Sequence, residues 1–234
     1  MLASIFSLNV IQTALELGCI YALVALALFL SYSILNIADL STDGCFTLGC
    51  AVACQVALTG HPFLALLAAV VIALAGAAMV GFLGTRLGLS IRATGDNAAM
   101  VRASSINPAF TITVGLCISG ALTALSGGLL AQYQKSCDIN VGTGMVTIAL
   151  ASLIIGETLV GKRTMVRRVL GVVFGSCLYR FIVAVALRFN VPAAAMKLVS
   201  AIIVAVAISM PAIREKIAFE KRRSAARQAR KERV

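Results

Sequence analysis

Apolar residues in this chain gather into long runs at 10–30, 63–83, 110–131, 145–160, 169–187 and 196–210, separated by short polar intervals. A helix needs about 20 mostly apolar residues to cross roughly 30 Å of hydrocarbon. Runs of this length predict membrane-spanning helices rather than buried strands. A shorter run at 50–58 stops at Thr59-Gly60-His61-Pro62, a turn signal. The pattern predicts an all-α, polytopic integral membrane protein with about six to seven transmembrane helices. Pro211 closes the last run, which divides the chain into a transmembrane part, 1–211, and a basic tail, 212–234.

Composition supports this picture. The 234 residues are 60% hydrophobic and 12% charged, whereas a soluble domain is about half apolar and a quarter charged. The net charge of +11 does not indicate a nucleic-acid partner, because nine of the twenty basic residues lie in 214–233. Most of the others sit beside apolar runs, in 86–102 and 162–168. Lys and Arg in such positions mark the cytoplasmic side, so both segments and the C-terminus are expected inside, with the loop around Lys135 outside. A tail reading KRRSAARQARKER is also drawn to anionic headgroups. No basic residue precedes Arg86. The charge rule is therefore silent on the first 85 positions, and no basic region of a secretory signal is expected.

Catalytic or metal chemistry finds little support. Seven cysteines form no C-x-x-C pair; Cys50 and Cys54 share a helix face, but His61, the single histidine, is not beside them. Buried cysteines act as small hydrophobes. No phosphate loop or nucleophile–base pair is present, so the chain is not expected to be an enzyme. Glu16, with Gln12 one turn earlier, is expected to join two spans, and Glu157 to meet the nearby Lys162 and Arg163. Gly120, Ser126, Gly127, Gly128 and the pair Gly171 and Gly175 supply small residues for close helix packing in lipid.

Two polar intervals resemble one another: DLSTDGCFTLG after the first run and DINVGTGMVTIAL before the fourth. Each is acidic and Gly-containing, and each leads into a semi-polar run. Transporters built from inverted repeats place solute sites where such broken segments meet. On that logic Asp39, Ser41, Thr42 and Asp43 are candidate pathway residues, with Asn140, Thr143 and Thr147 as their counterparts.

The third polar interval, 85–108, contains RATGDNAAMVRASSIN. Thr94-Gly95-Asp96 reads as a turn. Asp96 or Asn97 is placed to cap a short helix over 98–105, which Asn107-Pro108 ends. Arg92 and Arg102 stand at its two ends, and Met100 lies on it.

That segment resembles the cytoplasmic coupling segment of ABC-importer permeases of the branched-chain amino-acid type, in particular a tryptophan/tyrosine or small-solute sub-branch. LNIADLSTDGCFTLG, LSGGLLAQYQ, DINVGTGMVTIALASLIIGETLVG and LGVVFGSCLYR match in family order. The resemblance implies a multi-pass permease subunit of a prokaryotic cytoplasmic membrane, importing a small polar solute such as an amino acid. Its implied partners are an ABC ATPase subunit, a second permease protomer (identical or not) and an extracytoplasmic solute-binding protein. ATP and Mg would be bound by the ATPase, and no cofactor by this chain. Arg92, Thr94, Gly95, Asp96, Asn97, Met100 and Arg102 would form the ATPase contact. The chain departs from the pattern where GAAMVGFLGTRLGLSIRATGD runs straight from the third span to the coupling segment, omitting an even number of spans. Two alternatives stay open: a gradient-driven carrier, and a shortened paralogue that holds the ATPase without transporting.

Overall fold

The computed structural model describes residues 8–37, 39–58, 82–161 and 164–188, with 201–202, 205–206 and 209. Most of the expected spans 63–83 and 196–210, together with His61, Lys162, Arg163 and the basic tail, lie outside the described residues.

Helix α1, Leu8–Leu28, is apolar on every side and continues without a break into π-helical turns, Phe29–Ile34. Nearly every residue from Ile20 to Leu30 is buried, as expected of an apolar helix at the centre of a bundle. Around it stand α2 (Thr42–Leu58), α5 (Pro108–Gln134), α6 (Met145–Val160) and α7 (Met165–Arg188). Between α2 and α5 the described residues include the shorter helices α3 (Arg86–Asp96) and α4 (Ala98–Ala103). A 3₁₀ turn, Ile139–Gly142, leads into α6. No strand occurs among the described residues. Among them, four stretches are long and apolar enough to cross a membrane: Val10–Ile34, Pro108–Gln134, Ile139–Val160 and Met165–Leu187. They coincide with the runs expected at 10–30, 110–131, 145–160 and 169–187.

The polar residues 42–49, which the sequence left open between a loop and a segment entering the membrane, form the first half of α2. One expectation needs correction. Residues 86–96 are a helix, capped by the Thr85 hydroxyl, which accepts from Gly88 N. Thr94-Gly95-Asp96 is therefore the last turn of α3 and not a separate loop.

Lipid tails are as apolar as leucine, so helices in a bilayer are held by close packing and interhelical hydrogen bonds. Both devices occur here. On α2 and α5, a Cβ added at Gly49 would lie 1.9 Å from the Ala124 carbonyl oxygen, and one at Gly127 2.1 Å from that of Phe46. On α6 and α7, a Cβ added at Gly156 or Gly175 would lie 2.2 Å from a carbonyl oxygen across the interface. Serine hydroxyls fasten the outer helices to α1. Ser119 and Ser126 of α5 donate to the carbonyls of Ala27 (3.0 Å) and Ile20 (2.7 Å), and Ser176 of α7 donates to that of Gly18 (2.9 Å). Each buried hydroxyl thereby satisfies itself on a neighbouring helix.

The direction of α1 follows from its end contacts. At its start, Gln12 donates to Glu16 (3.0 Å), and Tyr133, at the end of α5, donates to the same carboxylate (3.1 Å). This is the contact between spans expected for Glu16. At the other end, Asn36 donates from Nδ2 to the Gly95 carbonyl (3.1 Å). So α1 runs antiparallel to α5, with its π-helical end beside α3 and α4.

Candidate functional site

Two places gather the candidate residues. The first is the hairpin of α3 and α4. Ile91 and Val101 are buried and anchor the two helices on the bundle. Thr94 is buried too: its hydroxyl is 2.8 Å from that of Thr111 on α5, and it also bonds the Ser90 carbonyl. Gly95 has no room for a side chain, since a Cβ there would be 1.9 Å from the Ile34 carbonyl oxygen. Thr94 and Gly95 thus face inward and seat the hairpin.

Asn97 caps α4, its Oδ1 accepting from Ala99 N (3.0 Å) and Met100 N (3.1 Å). The helix is Ala98–Ala103, slightly shorter than the 98–105 expected. Asp96, Asn97 and Arg102 are exposed, Arg92 is half-buried, and Met100 is 69% exposed. Ile106, 36% exposed, adds to this outward face. An exposed methionine on a capped helix, with exposed charges at Asp96 and Arg102 close by in the chain, has the composition of a protein contact.

The second place is where α2 meets the entry to α6. Asp39 Oδ1 accepts from Ser41 N (2.9 Å) and Ser41 Oγ (2.5 Å), and Thr42 Oγ1 donates to the Asp39 carbonyl (3.0 Å). These three close a turn just before α2 and at its first residue. Asp43 reaches across to the N-terminus of α6, its carboxylate accepting from Gly144 N (3.1 Å) and Val146 N (3.0 Å). Gly144 itself precedes α6 at φ 85°, a left-handed conformation suited to glycine. The carboxylate therefore satisfies two of the helix's unpaired amides at its positive end. Asn140, Thr143 and Thr147 belong to the same entry segment of α6, and their hydrogen bonds stay within it. Asn140 N donates to Asp138, Thr143 to the Asn140 carbonyl and Thr147 to the Gly144 carbonyl. The two similar polar segments are thus in direct contact, through Asp43.

Sequence reasoning did not single out two arginines. Arg168 on α7 donates to Glu157 from Nη2 (2.7 Å) and Nε (3.2 Å) and to the Ser33 hydroxyl, with its guanidinium 5.0 Å above the Phe29 ring. Glu157 therefore pairs with Arg168; Lys162 and Arg163, its expected partners, lie outside the described residues. Ser33 donates to the same carboxylate (3.1 Å), so this network ties α6 and α7 to the π-helical end of α1. Arg180 on α7 lies 3.3 Å from the Tyr21 ring centroid. Arg180 was visible as a lone cation within an apolar run, whereas Arg168 stood in the Arg167–Arg168 pair at the start of α7. Cys50 donates to the Gly127 carbonyl (3.0 Å) in a packing role, and no group of three or more metal-type ligands occurs among the described residues.

Comparison with known proteins decides the family. A model described as the permease component of the branched-chain amino acid transport system matches residues 82–208, more than half the chain. The chain belongs to this family. It is an ABC-type permease and a multi-pass membrane protein. The matched region takes in the α3–α4 hairpin and α5, α6 and α7. The tyrosine transport system permease protein of Clostridioides difficile (strain R20291) is 37% identical over 123 residues, 53% of this chain and 42% of that protein. An uncharacterized protein of Rickettsia prowazekii (strain Madrid E) is 22% identical over 274 residues, 86% of this chain and 98% of its own. The permease chain spans less than half the length of the first relative and nearly all of the second. An alignment of 274 positions exceeds the 234 residues available, so that relative carries residues with no counterpart here. No solved structure matches.

Proposed function

We propose that this permease is the transmembrane subunit of an ABC importer for an amino acid, and that the α3–α4 hairpin is its ATPase contact. The observation that carries this is the outward face of α4: a capped helix presenting Met100, flanked by Asp96 and Arg102, at one end of the bundle. The amino-acid class is supported by the family and by the tyrosine transport permease it is similar to. ATP and Mg belong to the separate subunit, which leaves this chain without catalytic chemistry. A second permease protomer and an extracytoplasmic binding protein complete the assembly. The hairpin end and the basic tail face the cytoplasm under the charge rule.

The test is co-purification. The permease is expressed with the ATPase encoded beside it and purified through the permease, as wild type, D96K and M100D. Both substituted residues are exposed, so the fold should tolerate the changes. Retention of the ATPase by wild type and its loss in both variants is the expected result. No retention by wild type would overturn the assignment.

A second reading has one observation in its favour. The residues of the Rickettsia relative that lack a counterpart here fit a shortened paralogue that binds the ATPase without transporting. It predicts retention of the ATPase with no ATP-dependent uptake in proteoliposomes.

A further inference from the structure

Arg180 lies about two-thirds of the way along α7, inside the membrane-crossing stretch Met165–Leu187. A cation there is expensive, and such residues mark pathways or pair with an acid. No described carboxylate pairs with it. Glu157 is taken by Arg168, Asp43 by the α6 backbone, Glu16 by Gln12 and Tyr133, Asp39 by Ser41, and Asp138 by Asn140. Asp96 belongs to the exposed hairpin at the end of the bundle where α1 finishes. Tyr21 covers one face of the guanidinium at 3.3 Å, and Nε is shut off from solvent with no hydrogen-bond partner.

A structural arginine in a low-dielectric interior normally has its donors satisfied, because an unmet donor there carries its full desolvation penalty. Here the guanidinium is held in place by an aromatic face while part of its donor fork is unused. A planar fork of N–H donors matches a carboxylate in two-point geometry. Tyr21 in turn stacks on Phe46 (centroids 6.1 Å apart, 23° between planes). Phe46 follows Asp43 by one turn on α2, so the Tyr21 ring stands between Arg180 and the helix whose start joins the two polar segments.

We infer that Arg180 is a specificity-determining residue of the solute pathway, recognising the carboxylate of the transported amino acid while Tyr21 holds its guanidinium in position. This rests on the transport reading above. It assigns the solute class a required feature, a free carboxylate, that Asp43 and the other acidic candidates cannot recognise.

The experiment compares ATP-dependent uptake of L-tyrosine and of its carboxamide, L-tyrosinamide, in proteoliposomes. These hold the permease, its ATPase and its binding protein, with wild type, R180K and R180Q tested side by side. Wild type should prefer tyrosine by about tenfold or more, the effect of one charge-assisted hydrogen bond. R180Q should bring that ratio close to one, and R180K should keep part of it. ATPase co-purification checks that each variant is assembled. If R180Q lowers uptake of both compounds alike and preserves their ratio, Arg180 is structural and the inference fails while the transport reading stands. If wild type moves neither compound, the transport reading fails and the inference with it.

Discussion

Asp43 makes the sharpest claim on the molecule's stability, because one carboxylate joins two helices. Its oxygens accept from Gly144 N and Val146 N at 3.1 and 3.0 Å, both at the start of α6. Hydrogen bonds to a charged group contribute about 1.5–3 kcal/mol each, while losing an ordinary helix cap costs about 1 kcal/mol. Asp43 is half-buried, so water can reach part of the junction and the lower values apply. Asp43→Ala should therefore destabilise the permease by about 2–3 kcal/mol. Asp43→Asn keeps one acceptor oxygen and loses the charge, so it should cost about half as much. The assay is equilibrium unfolding of the purified protein in detergent, paired with hydrogen exchange at Gly144 and Val146. Both amides should lose protection in the alanine variant, and amides near Glu157 should not. An Asp43→Ala protein within about 0.5 kcal/mol of wild type, or unchanged exchange at the two amides, would refute the capping role. A variant that is stable yet fails to transport would return Asp43 to the list of solute contacts.

Arg168→Met removes the cation from a pair whose carboxylate, Glu157, is 7% exposed. Breaking a buried pair costs about 3–5 kcal/mol, mostly through the charge left behind, and the 18% exposure of Arg168 puts the loss at the low end. The double variant Arg168→Met with Glu157→Gln should be more stable than Arg168→Met alone by the same unfolding assay; if it is less stable, the pair is not coupled. Gly175→Leu should push α6 and α7 apart, since its Cβ would sit 2.2 Å from the Ser152 carbonyl oxygen. Overpacking of this kind costs about 1–3 kcal/mol or more, read as a fall in midpoint temperature in detergent. Gly84→Ala, with nothing within 4 Å of the added Cβ, is the matched control and should change stability by less than about 0.5 kcal/mol.

The spans were legible because the bilayer enforces length and apolarity, and both are local properties of sequence. The cap on α4 was legible for a similar reason: Asn97 needs only the next three residues to do its work. What lay beyond the sequence were contacts between distant segments. Glu157 has Lys162 and Arg163 within a turn or so, and both lie outside the described residues. Arg168, eleven positions on, reaches the same carboxylate because α7 packs back against α6 at Gly156 and Gly175. The residues of 86–96 looked like a polar loop because Arg86, Arg92 and Asp96 interrupt any apolar run. Yet Gly88, Ile91 and Thr94 recur every three residues and are buried, the spacing of an amphipathic helix lying against the bundle. The resemblance named the coupling residues as one group, whereas packing divides them. Thr94 and Gly95 hold the hairpin to the bundle, while Asp96, Met100 and Arg102 are left to face outward.

That division bears on how force applied to α4 would reach the spans. Gly95 sits against the Ile34 carbonyl with no space for a Cβ, and Asn36 donates back to the Gly95 carbonyl. The hairpin is thereby seated on the π-helical end of α1. The same turns present Ser33 to Glu157 and Arg168. A displacement of α3 and α4 must therefore strain both the Thr94–Thr111 contact to α5 and the Asn36 bond to the π-helical turns, and through Ser33 those turns touch α6 and α7. π-Helical turns carry an extra residue per hydrogen-bonded ring and often occur at functional positions. Here the six residues from Phe29 to Ile34 lie between the hairpin and the buried ion pair. The rest of α1 is fixed to α5 and α7 by Ser119, Ser126 and Ser176. A hairpin joined to the bundle through surface side chains alone would dissipate the same push in rotamer changes; one seated backbone to backbone at Gly95 does not have that freedom.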